Sequence, residues 1–411
     1  MNKEEIFRAI DKRLEESVQI LTGLISFPST RGNEAGPGRF LLPLFERCAD
    51  SAELIAVPDS LQDDPDYAFR LAGFSYGGAA NLRVRLDRTG PGASLALNTH
   101  LDVVPATPGQ EAPFQARVQD GQVFGRGACD AKGQAAVIWL VIRALKDLRL
   151  KPRGGLTADL VLEEECGGNG TLLVQRNGLE ADAAIVLEPT ALEVAHLVRG
   201  AVWFEVRTTG IAGHSGSPGT TSSALKTAIR VMEAIESVRA ETLAISRLSV
   251  ATIAKHPDPA PCTFGILQAG NWPAAAPSEG VLKGVFGFLP PFNRKEIQER
   301  LVRAVSPFRA RITFPMLNND PSSLPSDHPL VQAFLASAGR VGVASRPVFM
   351  NASCDAWRYS VGLGIPTVVF GPGSLASAHS KDEHIAIDDI RNAAAAVLGF
   401  IDDWSGLNHV S

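Results

Sequence analysis

Five short stretches of this chain gather the side chains able to do chemistry, and the densest is Leu162-Glu163-Glu164-Glu165-Cys166-Gly167-Gly168. The apolar run 157–162 predicts a half- or fully buried strand, so three adjacent carboxylates stand at a strand tip. Like charges brought together there repel unless a cation or a shared proton relieves them. A divalent metal does so, and a carboxylate outside its coordination shell can then serve as general base on a metal-activated water. A solvated acidic turn is the simpler account of this stretch taken alone, so the other four matter.

The apolar run 94–98 ends directly in Thr99-His100-Leu101-Asp102. Residues two apart on an extended segment face the same side, so His100 and Asp102 can converge on one point, although a His and Asp in a surface turn would read the same way. Gly125-Arg-Gly-Ala-Cys-Asp130-Ala-Lys-Gly133 precedes an apolar helix predicted over 135–148, where Asp130 is either an N-cap or a ligand. The run 181–187 ends in Glu188, and a distant glycine-rich loop, 371–383, carries His379. Imidazole and carboxylate without thiolate suit zinc, cobalt or manganese, and a bridging carboxylate can hold two metals about 3.5–4 Å apart.

The elements that must position these residues alternate strand and helix: strands over 81–86, 94–98, 157–162 and 181–187, with the helix 135–148 between. That order predicts an α/β fold with a mainly parallel sheet and helices on both faces, and places the site at the carboxyl ends of the strands. Ile6, Ile10, Leu14, Val18, Leu21 and Leu24 lay one apolar stripe along a helix predicted over 4–26, and a second helix is expected over 38–49. The texture changes near His196. A strand over 197–208, a helix over 222–238, strands near 246–254, 262–267 and 281–289, and a helix over 294–305 read as an antiparallel α+β sandwich inserted at 196–309. The chain then resumes the first pattern with a helix over 330–338, a strand over 367–370 and a helix over 387–404. The larger domain is thus expected to be discontinuous, 1–195 and 310–411.

With 411 residues, 45% hydrophobic and 20% charged, the chain has the composition of a globular protein of two domains. Net charge is −5 and no Lys/Arg block appears, which argues against nucleic acid as partner, while the lack of a long apolar run argues against a membrane span. The charged amphipathic N-terminus does not read as a secretory leader, and five scattered cysteines without a CxxC pair suggest neither disulfides nor a thiolate zinc site. A cytoplasmic location is expected, with a small molecule as the partner.

In order and context these motifs resemble those of the acetylornithine deacetylase and succinyl-diaminopimelate desuccinylase family of dinuclear metallo-aminohydrolases, which includes aminoacylases and glutamate carboxypeptidases. The correspondence runs through Thr99-His100-Leu-Asp102, Gly125-Arg-Gly-Ala-Cys-Asp130-Ala-Lys-Gly, Glu163-Glu164-Glu165-Cys-Gly-Gly, Leu187-Glu188-Pro-Thr and Gly371-Pro-Gly with Ala378-His379 and Asp382-Glu383. The resemblance implies two divalent ions, zinc first and cobalt or manganese as alternatives. Asp130 would bridge them, His100 and Glu188 completing one site and Glu165 and His379 the other. Asp102 would fix the His100 tautomer, Glu164 would be the general base, and the Asp130-Ala131 peptide would be cis. The insert would be a ferredoxin-like lid and dimerisation domain. His214, in Gly213-His214-Ser215-Gly216, would reach the partner's site in a homodimer and stabilise the oxyanion.

The lid departs from the family pattern. Its usual polar substrate anchors, an Asn and an Arg, are replaced by Trp272-Pro-Ala-Ala-Ala-Pro277 and Phe286-Gly-Phe-Leu-Pro290, leaving Arg199, Lys283, Arg294 and Arg358 as candidates to hold a substrate carboxylate. The implied activity is hydrolysis of an amide C–N bond in a small N-acylated amino acid or related amine. A dipeptidase, carboxypeptidase or ammonia-releasing aminohydrolase is the alternative, and a catalytically silent metal-binding scaffold is the alternative outside enzymology.

Overall fold

The computed structural model describes residues 1–214, 216 and 219–410. Four strands form its centre, Leu156–Val161, Leu95–His100, Ala183–Val186 and Thr367–Val369, lying side by side in that order and all parallel. Every residue of Leu95–His100 is buried, as expected of a strand covered on both faces. Alternation along the strands separates two apolar surfaces. Leu95, Leu97, Ile185 and Val368 join the main core with the helices Lys132–Asp147, Pro329–Val341 and Ile387–Ser405, whereas Ala96, Ala184, Val186 and Val369 pack on the opposite face against Ala356, Tyr359 and Ile365. Outside this parallel centre the nine-stranded sheet is mixed. Ala80–Leu86 and Ser51–Ala56 extend it antiparallel on one side, and Val194–Val198 and Ser322–Ser323 do so on the other, with Pro347–Met350 parallel to Val194–Val198.

A second sheet has its own interior. Cys262–Ala269, Glu279–Phe288, Gly200–Thr209 and Ala310–Thr313 are antiparallel neighbours in that order, and the helices Ala224–Ser249 and Arg294–Val305 cover one face. Val202, Phe204 and Val206, alternate residues of one strand, meet Val231, Ile235, Leu282, Ile297 and Leu301 in a core separate from the first. The two sheets are joined where the chain passes twice: Val198 pairs with Ser322 in the larger sheet, and Ala201 pairs with Asn319 in the smaller.

Three sequence expectations fail locally. The helix expected over 4–26 is two, Lys3–Asp11 and Leu14–Ile25, because Arg13 leaves helical geometry (φ −125°, ψ 4°) and sends its guanidinium to Asp147 and Glu16. Both pieces keep their apolar residues on the same core, which is why the stripe looked continuous. The strand expected over 197–208 is also two, Val194–Val198 and Gly200–Thr209, which belong to different sheets and part at Arg199. No strand forms over 246–254. The helix Ala224–Ser249 occupies its start, followed by the short turn Ala251–Ile253, and Ile253 is apolar because it packs on Leu197 and Leu289. Among the described residues no helix is long and apolar enough to cross a membrane.

Candidate metal centre

Because the central strands are parallel, their carboxyl ends open on one side, and the chemistry-bearing residues collect there. His100 closes its strand, and its ring is fixed from behind. Nδ1 lies 3.0 Å from the backbone oxygen of Asp102 and 3.4 Å from its carboxylate. A carbonyl oxygen only accepts, so Nδ1 carries a proton and the ring directs Nε2 forwards. The Asp102 carboxylate meanwhile accepts the backbone N–H groups of Glu164 and Glu165, each at 3.1 Å. One residue thus orients both the imidazole and the acidic turn.

Asp130 lies at the focus. It does not cap the helix Lys132–Asp147, whose N-cap position is Ala131 and has no side-chain cap. Its Oδ1 is instead 2.9 Å from His100 Nε2, and its Oδ2 is 3.2 Å from His379 Nε2. His100 Nε2 has Glu188 Oε2 at 3.9 Å, and His379 Nε2 has Glu165 Oε1 at 2.8 Å. The Asp130-Ala131 peptide is cis.

The three adjacent glutamates point apart. A φ of +56° at Glu163 breaks the strand alternation, and its buried carboxylate turns away to Arg31 (2.6 Å), Asn169 (2.9 Å) and the Tyr76 hydroxyl. Glu165 faces His379. Glu164 lines a cavity of about 290 Å³ shared with Asp130, Glu165, Glu188, His379, Asn351, Ser353 and Cys354. Gly168 ends the turn at φ +73°, and a Cβ there would lie 2.2 Å from Asp355 Oδ1, so only glycine lets the turn pack on that carboxylate.

Protons are held tightly here. Burial and the nearby Glu188 push the Glu164 carboxyl well above its ordinary range, and burial does the same to Glu188 with Asp130 adding to it. Burial would also raise Asp130, but hydrogen bonds from His100 and His379 outweigh it and hold Asp130 below the usual value. Its hydrogen bonds to Asp130 and Glu165 raise His379 to about 10. Burial disfavours a charged His100, yet Glu188, Asp102 and Asp130 together raise it well above an ordinary imidazole. A site that concentrates anions until imidazoles keep their protons favours a cation. Donor atoms of His100, Asp130 and Glu165 lie within 4.8 Å of one another, and the donor set of nitrogen and oxygen fits a borderline or hard divalent ion. The residues present therefore fit a metal.

Two further carboxylates belong to the setting. Asp355, raised to about 6 by burial, accepts from the Thr171 hydroxyl and sits close enough to Glu164 and Glu188 to raise both. Glu383 is buried against Arg126 behind Asp130. Asp355 had no sequence signal beyond an isolated acid in a polar stretch, and Glu383, part of a quoted motif, acquires its partner only through a contact 257 residues away.

The four cationic candidates do not line this cavity. Arg199 is half-buried and donates to the backbone oxygen of Asn351. Lys283 pairs with Glu205 on the smaller sheet. Arg294 binds Asp66 at 2.6 Å and stacks on Trp357, and Arg358 stacks on Trp357 while donating to the backbone oxygens of Asp66 and Gly167. Phe286 and Phe288, where the family has polar anchors, are core residues of the smaller unit. His214 is exposed on the short strand Gly213–His214, which pairs with Ala275–Ala276; it accepts the Gly216 N–H at 3.0 Å and is not among the residues lining the carboxylate cavity. Ser215, in the same motif, lies outside the described residues.

Imidazoles and carboxylates collected at the open end of a parallel sheet define a metal-dependent hydrolase. The profile of Peptidase family M20/M25/M40 matches residues 96–403, and the chain belongs to that family; it is an amide hydrolase. Acetylornithine deacetylase of Myxococcus xanthus is 28% identical over 329 residues, covering 76% of this chain and 81% of the relative. An N-formyl-4-amino-5-aminomethyl-2-methylpyrimidine deformylase of Halalkalibacterium halodurans is 23% identical over 441 aligned positions, covering 98% of both chains. The M20 family metallo-carboxypeptidase Sso-CP2 of Sulfolobus solfataricus superposes with a TM-score of 0.74 at 18% identity, covering 95% of this chain and 99% of that one.

Proposed function

We propose that this chain removes the acyl group from a small N-acylated amino acid or related amine, using two divalent cations, with zinc the first choice. The observation that carries this reading is the Asp130 carboxylate, whose two oxygens face two different imidazoles, each backed by its own glutamate, with Glu164 beside them in the cavity. His100 and Glu188 would hold one cation, Glu165 and His379 the other, and Asp130 both. Bound there, the pair would polarise the scissile carbonyl and acidify the attacking water. Glu164 takes the proton from that water. It then returns that proton to the leaving nitrogen. Asp102 keeps His100 Nε2 directed forwards throughout.

The cavity of about 290 Å³ is at the small end of ligand sites and favours a compact substrate. Two relatives named as a deacetylase and a deformylase support an acyl group on nitrogen as the target. The reading includes a homodimer in which His214 of one chain stabilises the oxyanion in the other, since His214 is exposed and is not among the residues lining the carboxylate cavity of its own chain. It also includes a cytoplasmic location, which the five free cysteines support. The test is a screen of zinc-loaded protein against N-acetyl, N-succinyl and N-formyl amino acids and dipeptides, reading amine release. Turnover of an N-acyl amino acid is expected. Turnover of dipeptides alone would move the reading to a dipeptidase, and none on any substrate would leave a silent metal scaffold.

A further inference from the structure

The two halves of the centre are supported unequally. His100 and Glu188 stand at or just beyond the ends of hydrogen-bonded strands and are almost fully buried. His379 comes from a loop, its side chain is 47% exposed, and its backbone sits at φ +59°, a conformation that a non-glycine residue keeps only when its surroundings impose it. Behind this loop lies a polar chain that the reaction does not use. Glu383 Oε1 accepts the backbone N–H groups of Gly127 (2.9 Å), Cys129 (3.1 Å) and Asp130 (3.2 Å), so one oxygen gathers the loop that carries the shared carboxylate. Its other oxygen receives Arg126 Nη1. Arg126 Nη2 donates to Thr107 Oγ1 at 2.6 Å, and the Thr107 hydroxyl donates to the backbone oxygen of His379 at 2.7 Å. Arg126 and Glu383 are both buried, so their ion pair and hydrogen bonds are not exchanged for water without cost.

We propose that Glu383, Arg126 and Thr107 form a clamp that sets the spacing of Asp130 and His379 and so controls the affinity of the second cation, the one assigned to Glu165 and His379. The proposal rests on the two-cation reading. All three are positioning residues: Glu383 and Thr107 hold the backbone of ligand-bearing loops, and Arg126 ties those two side chains together. Thr107 is the discriminating member, because Glu383 touches Asp130, which serves both cations, whereas the Thr107 hydroxyl joins Arg126 to the His379 carbonyl.

The experiment titrates zinc into chelator-stripped protein, resolving two dissociation constants, for wild type, Thr107→Val, Thr107→Ser and Glu383→Gln, with thermal melts beside each. Thr107→Val keeps the shape and deletes the hydroxyl. It is expected to weaken the second zinc about 10- to 100-fold, the usual range for groups behind a ligand, and to leave the first zinc and the melt unchanged. Thr107→Ser restores the hydroxyl and should return the second constant to near the wild-type value. Glu383→Gln should weaken the second zinc further and the first less. Wild-type constants for both ions in Thr107→Val, or equal weakening of both, overturns the proposal. A wild type that takes up only one zinc removes the two-cation premise and the proposal with it, a result distinct from failure of the clamp alone.

Discussion

Glu163, Glu164 and Glu165 are chemically identical and adjacent, yet the structure gives them three environments, and changing each to Gln should give three different defects. Glu163→Gln keeps an acceptor for Tyr76 or Asn169 but cannot neutralise Arg31, whose side chain is 11% exposed and whose carboxylate partner among the described residues lies 2.6 Å away. Breaking a buried pair costs about 3–5 kcal/mol, and the retained hydrogen bond sets the expectation at the lower end, a fall of several degrees in melting temperature. Metal content should hold. Glu164→Gln removes the proton acceptor, so turnover should fall about 10²- to 10⁴-fold, or about 3–5 kcal/mol of barrier, with metal retained. Because burial and Glu188 disfavour its ionised form, chelator-stripped Glu164→Gln should melt at or above the stripped wild type. Glu165→Gln removes one of the two anionic partners of His379 and should lower metal occupancy first and turnover as a consequence. Metal analysis, thermal melts and amine release on one set of purified proteins separate the three. Equal metal loss in Glu164→Gln and Glu165→Gln, or a Glu163→Gln that melts with the wild type, would refute the assignment.

Zinc-replete protein should hold close to two ions per chain, and Asp130→Ala should disturb both; elemental analysis showing one ion at most ends the dinuclear reading. Stripped protein should lose stability as pH rises from about 6.5 to about 10. The raised His379 stabilises the fold fully below its ordinary value, and that contribution fades through its folded one. Raised Glu164 and Glu188 act in the same direction above the ordinary carboxylate range, and melts across pH with and without zinc should show the slope only in the stripped protein. His214→Ala should be inactive yet dimeric and metal-loaded. Co-assembled with Glu164→Gln chains it should regain activity, up to about half of wild type per heterodimer; verified heterodimers that stay inactive exclude action across the interface.

The choice of Asp130, His379 and Glu165 over Glu164 came with the family resemblance, but part of the centre could be read from local pattern. Apolar runs closing in His100, Leu162 and Leu187 declare buried strands, and parallel order brings their ends together, so the gathering of His100, the acidic turn after Leu162 and Glu188 followed from short-range signals plus topology. Distances between them did not. Nor did the divergence of the three glutamates, which depends on one positive φ and on Arg31, more than 130 residues earlier. Periodicity erred where an apolar pattern spans two elements. The stripe through Lys12-Arg13 continues across a break because both helices pack on one core, and the run through Arg199 continues because two apolar strands of different sheets follow one another in the chain. Asp355 and the pairing of Arg126 with Glu383 are tertiary facts with no local trace.

The double passage between the sheets makes residues 199–321 a module that could be spliced out. Val198 and Ser322 are direct antiparallel partners, so their Cα atoms stand about 5 Å apart and a short turn would join them. Every candidate ligand, with Asp102 and Glu164, lies outside the excised segment. The cut would uncover Leu197 and Phe349, which pack on Ile253, Ala260 and Leu289 of the lost module, and two polar replacements would finish that surface. What remained would be a minimal platform that keeps every residue lining the carboxylate cavity, in which cation binding at the donor cluster could be measured without the smaller sheet.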